Sequence, residues 1–431
     1  MRRRHFLVLF VLLFTWLPEE AYSTEEGTFY TYFELQSLRI DFVLSGNDTS
    51  RAASLLHLRK EPLWSAPLDH LVDPFKYGDY FVFVTDPVSC DTLYSRGFNT
   101  LFEEWRTTPE AAHRTQAFLN SVLVPFPRRL ITVTLSARSR IDMCFYPLLS
   151  FSVDPEDSHI DCGTHVSYPV TELVDNGSIH RHVDLLFLAE GYSAAEHDKF
   201  LADAQRFTDV LYDTPPFTVC KDRFNVRALF IPSCQSGTDI PHEGVYVHTP
   251  LHTSFHTFSI DRYLTTVDIP AVCDARWDVP CDALVLLVNT PVYGGAGIYN
   301  FYATVAADND RSPHIFIHEL GHSFAGLADE YFTSEVAYNN FYPLDCEPWE
   351  PNITTLVRFV DKWNDLLLPG TPVPTPLMAP YDVLPGVFEG AGYSSKGIYR
   401  PMDHCMMRDY APFCPACSRA ILEMIDFFAP R

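Results

Sequence analysis

Residues 312–331 read SPHIFIHELGHSFAGLADEY. Ser312 suits a helix N-cap, Pro313 suits the first turn, and Gly326 is where such a helix would end. The spacing therefore predicts one helix from Ser312 to the Gly326 break. Ile315, Phe316, Leu320 and Phe324 make it mostly apolar, and a buried His or Glu needs a partner or a metal. His318, Glu319 and His322 spell HExxH within it. Residues at i and i+4 lie one turn apart on one helix face, so both imidazoles can reach one ion. Glu319 can approach a water on that ion without being a ligand. A catalytic zinc needs a third protein ligand and an open position. Past Gly326 the chain can turn back, and Asp329 is the preferred third ligand, with Glu330 and His314 as alternatives.

Upstream, an apolar run from Val183 to Ala189 predicts a buried strand, and Ser193 with Glu196 forms a capping box. Phe200, Ala204, Phe207 and Leu211 share one helical face, which Pro215 and Pro216 bring to an end. Strands are expected again at residues 224–231 and 283–288. Strand, helix, strand in this order predicts an α/β domain with a largely parallel sheet.

Toward the N-terminus the period changes. Leu38, Ile40, Phe42 and Leu44 alternate, as do Ile131, Val133 and Leu135, the pattern of half-buried strands. One helix is expected between them, at residues 111–122, behind the capping signal of Thr107, Pro109 and Glu110. The expected organisation is an α+β protein of two domains. Residues 24–155 form a β-sandwich-like accessory domain, 156–182 a linker and 183–431 an α/β zinc-protease domain.

The 431 residues are 47% hydrophobic, enough for a sizeable core. A net charge of −24 repels phosphate backbones and excludes nucleic-acid binding. Arg2, Arg3 and Arg4 precede an apolar run that closes at the small residues Ala21 and Ser23, the order of a secretory signal peptide over residues 1–23. Secretion is expected, with no membrane span after cleavage. Of eleven cysteines, most should pair in an oxidising compartment, with Cys273–Cys281 and Cys220–Cys234 as the candidate pairs. Cys405, Cys414 and Cys417 with His404 are compatible with a structural zinc site, but disulfides are the preferred reading. Asn47, Asn176 and Asn352 open glycan acceptor motifs.

HELGHSFAGLADEY (318–331) resembles the signature of the IgA-peptidase family of secreted zinc metallopeptidases, a metzincin-like group. The resemblance extends to YGDYFVFVTD (77–86), residues 95–111, AEGY (189–192), IDRYLTT (260–266) and NTPVYGGAGIYN (289–300), and so takes in the family's N-terminal accessory domain. It implies His318, His322 and Asp329 as ligands of one zinc per chain, Glu319 as general base and Gly326 as the turning glycine. HCMMRDY (404–410) resembles the Met-turn beneath the metal, with Met407 preferred over Met406. Ser323, Phe324 and Ala325 put three residues before the glycine where the common metzincin pattern has two. An edge strand that receives an extended peptide is also implied.

The function expected is endopeptidase hydrolysis of a polypeptide by Glu319-assisted attack of zinc-bound water. The rival is a catalytically silent zinc-fold binding protein, which has no need of Glu319. Tyr410 is expected to pack rather than to donate to an oxyanion. Gly294, Gly295 and Gly297 suggest close backbone approach rather than a phosphate cradle. His248, His252 and His256 repeat every fourth residue, but Pro250 makes them loop histidines.

Overall fold

The computed structural model describes residues 26–333 and 341–430. The signal peptide expected at 1–23 lies outside them. The described chain is a mixed α/β structure. No helix among the described residues is long and apolar enough to cross a membrane.

After a short helix, α1 (Glu26–Tyr32), the N-terminal part is two antiparallel sheets. The first joins β1 (Phe33–Gly46), β2 (Arg51–Glu61) and β5 (Gln116–Pro127) in the order β2-β1-β5; the second joins β3 (Tyr80–Thr85), β4 (Thr92–Phe98), β6 (Ile131–Arg138) and β7 (Phe145–Val153) in the order β4-β3-β6-β7. The alternating Leu38, Ile40, Phe42 and Leu44 share one core with Val82, Val84, Ile131, Val133 and Leu135. Each sheet buries the face that its period-two pattern makes apolar.

The helix expected at residues 111–122 is not formed. The capping signal opens only a 3-10 turn, Pro109–Ala112, which follows α2 (Leu101–Trp105), and the chain then runs as β5. Val122 pairs with Ile40 across β1, and Val124 with Leu38. Long-range pairing satisfies the backbone along the whole of β1, and that outweighs a local cap.

The second part is a six-stranded sheet. Its strands are β8 (Val170–Val174), β9 (Val183–Glu190), β10 (Phe224–Leu229), β11 (Ala283–Val288), β12 (Gly295–Ile298) and β13 (Tyr302–Ala306), in the order β12-β13-β11-β9-β10-β8. The four central strands are parallel; β12 and β8 are antiparallel edges. β8 falls inside the stretch expected to link the domains, and its pairing with β10 makes it part of this sheet.

Every residue of β9 and β11 is buried because both faces of the sheet are covered. Leu185 and Phe187 meet the helices α3 (His197–Asp213), α5 (Ser312–Ala325) and α6 (Pro415–Phe428). Leu186 and Leu188 face the other way, toward α4 (Ile269–Ala275). The capping box of Ser193 and Glu196 forms ahead of α3 as expected. A hairpin of β14 (Phe388–Ala391) and β15 (Ser394–Arg400) lies beyond the sheet in sequence.

Candidate metal centre

The helix α5 begins one residue earlier than the cap rule suggests. Arg311 is the N-cap and Ser312 the first helical residue; the Ser312 hydroxyl donates instead to the Ala306 carbonyl and ties the helix to the end of β13. At the other end Gly326 takes the left-handed conformation at φ 65°, its N–H donating to His322 and that of Leu327 to Gly321. This closure turns the chain back beneath the helix.

His318 and His322 present their Nε2 atoms 3.1 Å apart. Asp329 Oδ1 lies 3.0 Å from the first and 3.3 Å from the second. Donors bonded at about 2.0–2.2 Å to one tetrahedral ion sit about 3.3 Å from each other, so this triangle is one face of such a site. The ring orientations have a cause: His318 Nδ1 donates to the Met406 carbonyl at 3.0 Å and His322 Nδ1 to the Leu327 carbonyl at 2.6 Å. Nε2 is left as the atom each ring offers to an ion.

Asp329 is fixed in the same way. Its Oδ2 accepts from the Tyr393 hydroxyl at 2.5 Å, which leaves the buried Oδ1 to face the two imidazoles. A buried carboxylate oxygen converging with two imidazole Nε2 atoms fits a divalent cation, and the N, N, O donor set suits zinc.

The charges agree. Burial opposes ionisation of Asp329, but His322 and His318 overcome it and hold the carboxyl well below its ordinary value. Burial likewise disfavours charged imidazoles, yet Asp329 raises His318 and lifts His322 to about 9. Without a metal, protons neutralise the carboxylate that a cation would otherwise neutralise. Burial raises Glu319, the next residue along the helix.

The alternatives for the third donor point elsewhere. Glu330 turns to the opposite side, where Cys417 Sγ is 3.1 Å from its Oε1. His314 stacks on Tyr410, with ring centroids 4.2 Å apart, and burial with the neighbouring His318 lowers it to about 4. Tyr410 packs on that one ring as expected but not in the core: it is 67% exposed at the cleft rim, because the chain after Met407 leaves the core there. Met407 is buried under the helix, where a Cβ on Gly321 would lie 2.9 Å from its sulfur.

The triad and Glu319 open onto a cleft of about 560 Å³. One wall is β12, which approaches α5 so closely that a Cβ on Gly297 would lie 2.4 Å from the Glu319 carbonyl oxygen. This is the close backbone approach expected of the glycine cluster. The outer edge of β12 is bridged at Gly295 by Tyr263. Arg262 also lines the cleft; burial opposes its charge, but Tyr331, Asp329 and Glu319 raise its pKa above the ordinary value. The N-terminal part contributes Asn99 and Glu104 to the same cleft.

Arg262, Tyr331, Tyr393, Asn99 and Glu104 were not singled out by sequence. Arg262 lies inside IDRYLTT, a stretch of family resemblance; Tyr393 has no local signal. His248, His252 and His256 lie in irregular chain, away from the triad. Asn352 is no glycan acceptor in the folded chain, since it is fully buried and its amide donates to Ala328 and Glu330. All eleven cysteines are free thiols in this structure, Cys273, Cys281, Cys220 and Cys234 among them.

Two imidazoles from an HExxH helix, a carboxylate from beyond its end and a neighbouring Glu on a cleft are the features of a metal-dependent hydrolase site. Family comparison agrees: residues 171–383 and 378–425 match the family described as IgA Peptidase M64, and residues 28–145 match Peptidase M64 N-terminus. The chain belongs to this peptidase family, whose members are metallopeptidases. No curated protein matches it.

Proposed function

We propose that the chain is a secreted zinc-dependent endopeptidase with a metzincin-like catalytic domain. His318, His322 and Asp329 hold one zinc ion, and the cleft side is left open for water and a peptide carbonyl. Zinc, when bound, supplies Lewis-acid chemistry, lowering the pKa of water and polarising the carbonyl. Glu319 accepts the proton of the attacking water and returns it to the leaving amine. Tyr393 keeps Asp329 turned so that Oδ1 faces the imidazoles, and the Met406 and Leu327 carbonyls keep both rings in the tautomer that binds through Nε2.

The convergence of three donors beside Glu319, on an open cleft, carries this reading. Secretion rests on the signal sequence of residues 1–23. The domain plan is a β-rich accessory domain over 24–155 and a catalytic domain over 183–431 that also takes in β8, which shortens the expected 156–182 linker to the residues before Val170.

A peptide-library digest tests the proposal. Cleavage should stop on chelation and return with zinc. Glu319→Gln should retain zinc yet lose about 10² to 10⁴ in kcat, the usual worth of general acid/base transfer. Zinc-loaded protein that cleaves no peptide would favour the silent binding protein.

A further inference from the structure

Behind the triad lies a second cluster that the proposed reaction does not use. Cys405, Cys414, Cys417 and Glu330 are all buried, and their ligand atoms lie within 4.8 Å of one another. Cys405 Sγ and Cys417 Sγ are 3.7 Å apart. Glu330 Oε1 is 3.1 Å from Cys417 Sγ and 4.0 Å from Cys414 Sγ. Sulfurs bonded at about 2.3 Å to a tetrahedral zinc sit about 3.8 Å apart, and a sulfur and a carboxylate oxygen about 3.5 Å.

The carboxylate is the second, independent observation. Glu330 has no exposed surface, Asn352 donates to its Oε1 at 3.0 Å, and its Oε2 has no hydrogen-bond partner among the described residues. A fully buried carboxylate that meets Cys417 and Cys414 through Oε1 and has its other oxygen unpartnered is costly unless something positive meets it. A disulfide between any two of these sulfurs would leave the carboxylate uncompensated and the third thiol alone. A cation would engage all four groups together.

We propose that Cys405, Cys414, Cys417 and Glu330 form a second, structural zinc site, closed to solvent and distinct from the His318, His322, Asp329 centre. Cys414 and Cys417 have the two-residue spacing common in such sites. Cys414 caps the N-terminus of α6, where the Cys417 N–H donates to Cys414 Sγ at 3.5 Å, and the Cys414 N–H donates to Cys405 Sγ at 3.3 Å. These donors and the helix dipole offset the excess negative charge of three thiolates and a carboxylate.

The site has a structural consequence. Asp329 and Glu330 are adjacent and face opposite ways, so a metal on Glu330 braces the segment that delivers Asp329. It also ties α6 and the Cys405 turn, whose Met407 carbonyl accepts from the Glu330 N–H at 2.8 Å, to the floor of the cleft.

The full-length protein, purified without chelator and loaded with zinc alone, decides the matter. X-ray absorption at the zinc edge should show a sulfur shell at about 2.3 Å, and metal analysis should find two zinc ions per chain. Cobalt exchange should add a thiolate charge-transfer band. Cys417→Ser should remove that band and one of the two ions. A zinc shell of nitrogen and oxygen only, or a disulfide among residues 405, 414 and 417 in unreduced peptide maps, overturns the proposal. The wild-type spectrum stands even if the variant fails to fold. If the proposed catalytic centre binds no metal, one zinc with a sulfur shell would still be found, so the two readings fail separately.

Discussion

Tyr393 shows how a single hydroxyl can set the direction of a carboxylate. It spans 64 positions of sequence to hold Asp329 Oδ2, which leaves Oδ1 as the oxygen facing both imidazoles. Tyr393→Phe should weaken zinc binding by about 10- to 100-fold, the range for an outer partner of a metal ligand. Competition against a chromophoric chelator measures it. The imidazoles also make metal binding pH-dependent. Because His322 is raised to about 9 and His318 is raised too, the metal-free site carries protons that zinc must displace. Zinc affinity should therefore increase as pH rises from 6 toward 9, by up to about tenfold per unit for each proton displaced, and level off above. A flat profile across that interval would mean the rings are neutral without metal.

Among the elements, the contact of β12 with α5 is the least tolerant. Gly297 sits where a Cβ would lie 2.4 Å from a backbone oxygen and 2.7 Å from His322 Cβ, so neither neighbour can yield by rotating a side chain. Gly297→Ala should cost about 1–3 kcal/mol, as overpacking does, and should disturb His322 directly. Denaturant unfolding and zinc titration of the same sample would register both effects. The element level also separates what local sequence can reveal. The helix α5 was legible because its apolar spacing, its glycine stop and its HExxH are all short-range. β5 carries a helix signal in its sequence because the cap before it is local, whereas its partner, β1, lies some eighty residues earlier in the chain. Ser312 was displaced by one position because the end of β13 claims its hydroxyl.

At the scale of the molecule, the two family-matched parts meet through charge as well as apolar packing. Arg39 of β1, nearly fully buried, donates to Asp41 at 2.7 Å and to Asp274 of α4 at 2.5 Å, and Arg59 of β2 reaches the same Asp274 at 3.3 Å. Asp274→Ala would leave Arg39 with less compensation in a site it cannot leave. The variant should lose about 1.5–3 kcal/mol, the worth of a hydrogen bond to a charged group, and limited proteolysis should cut between the two parts sooner. The N-terminal part is also a wall of the cleft. Asn99 donates from its backbone to Tyr299 at 2.9 Å, and Asn300 to Gly97 at 2.8 Å, which seats Asn99 and Glu104 beside the triad.

Sequence alone determined the elements whose cause is local: the HExxH helix and its glycine stop, the capping box before α3, the buried parallel strands and the alternating strands of the N-terminal sheets. It also narrowed the third donor to residues just past Gly326, since a chain leaving that turn has few ways to go. Which carboxylate faces the imidazoles, and which faces the three cysteines, was decided only by the tertiary structure. Asp329 and Glu330 are neighbours with the same chemistry, and what separates them is the company folding brings: Tyr393 and two histidines on one side, Asn352 and the start of α6 on the other. Those partners are far apart in the chain, and no periodicity encodes their meeting.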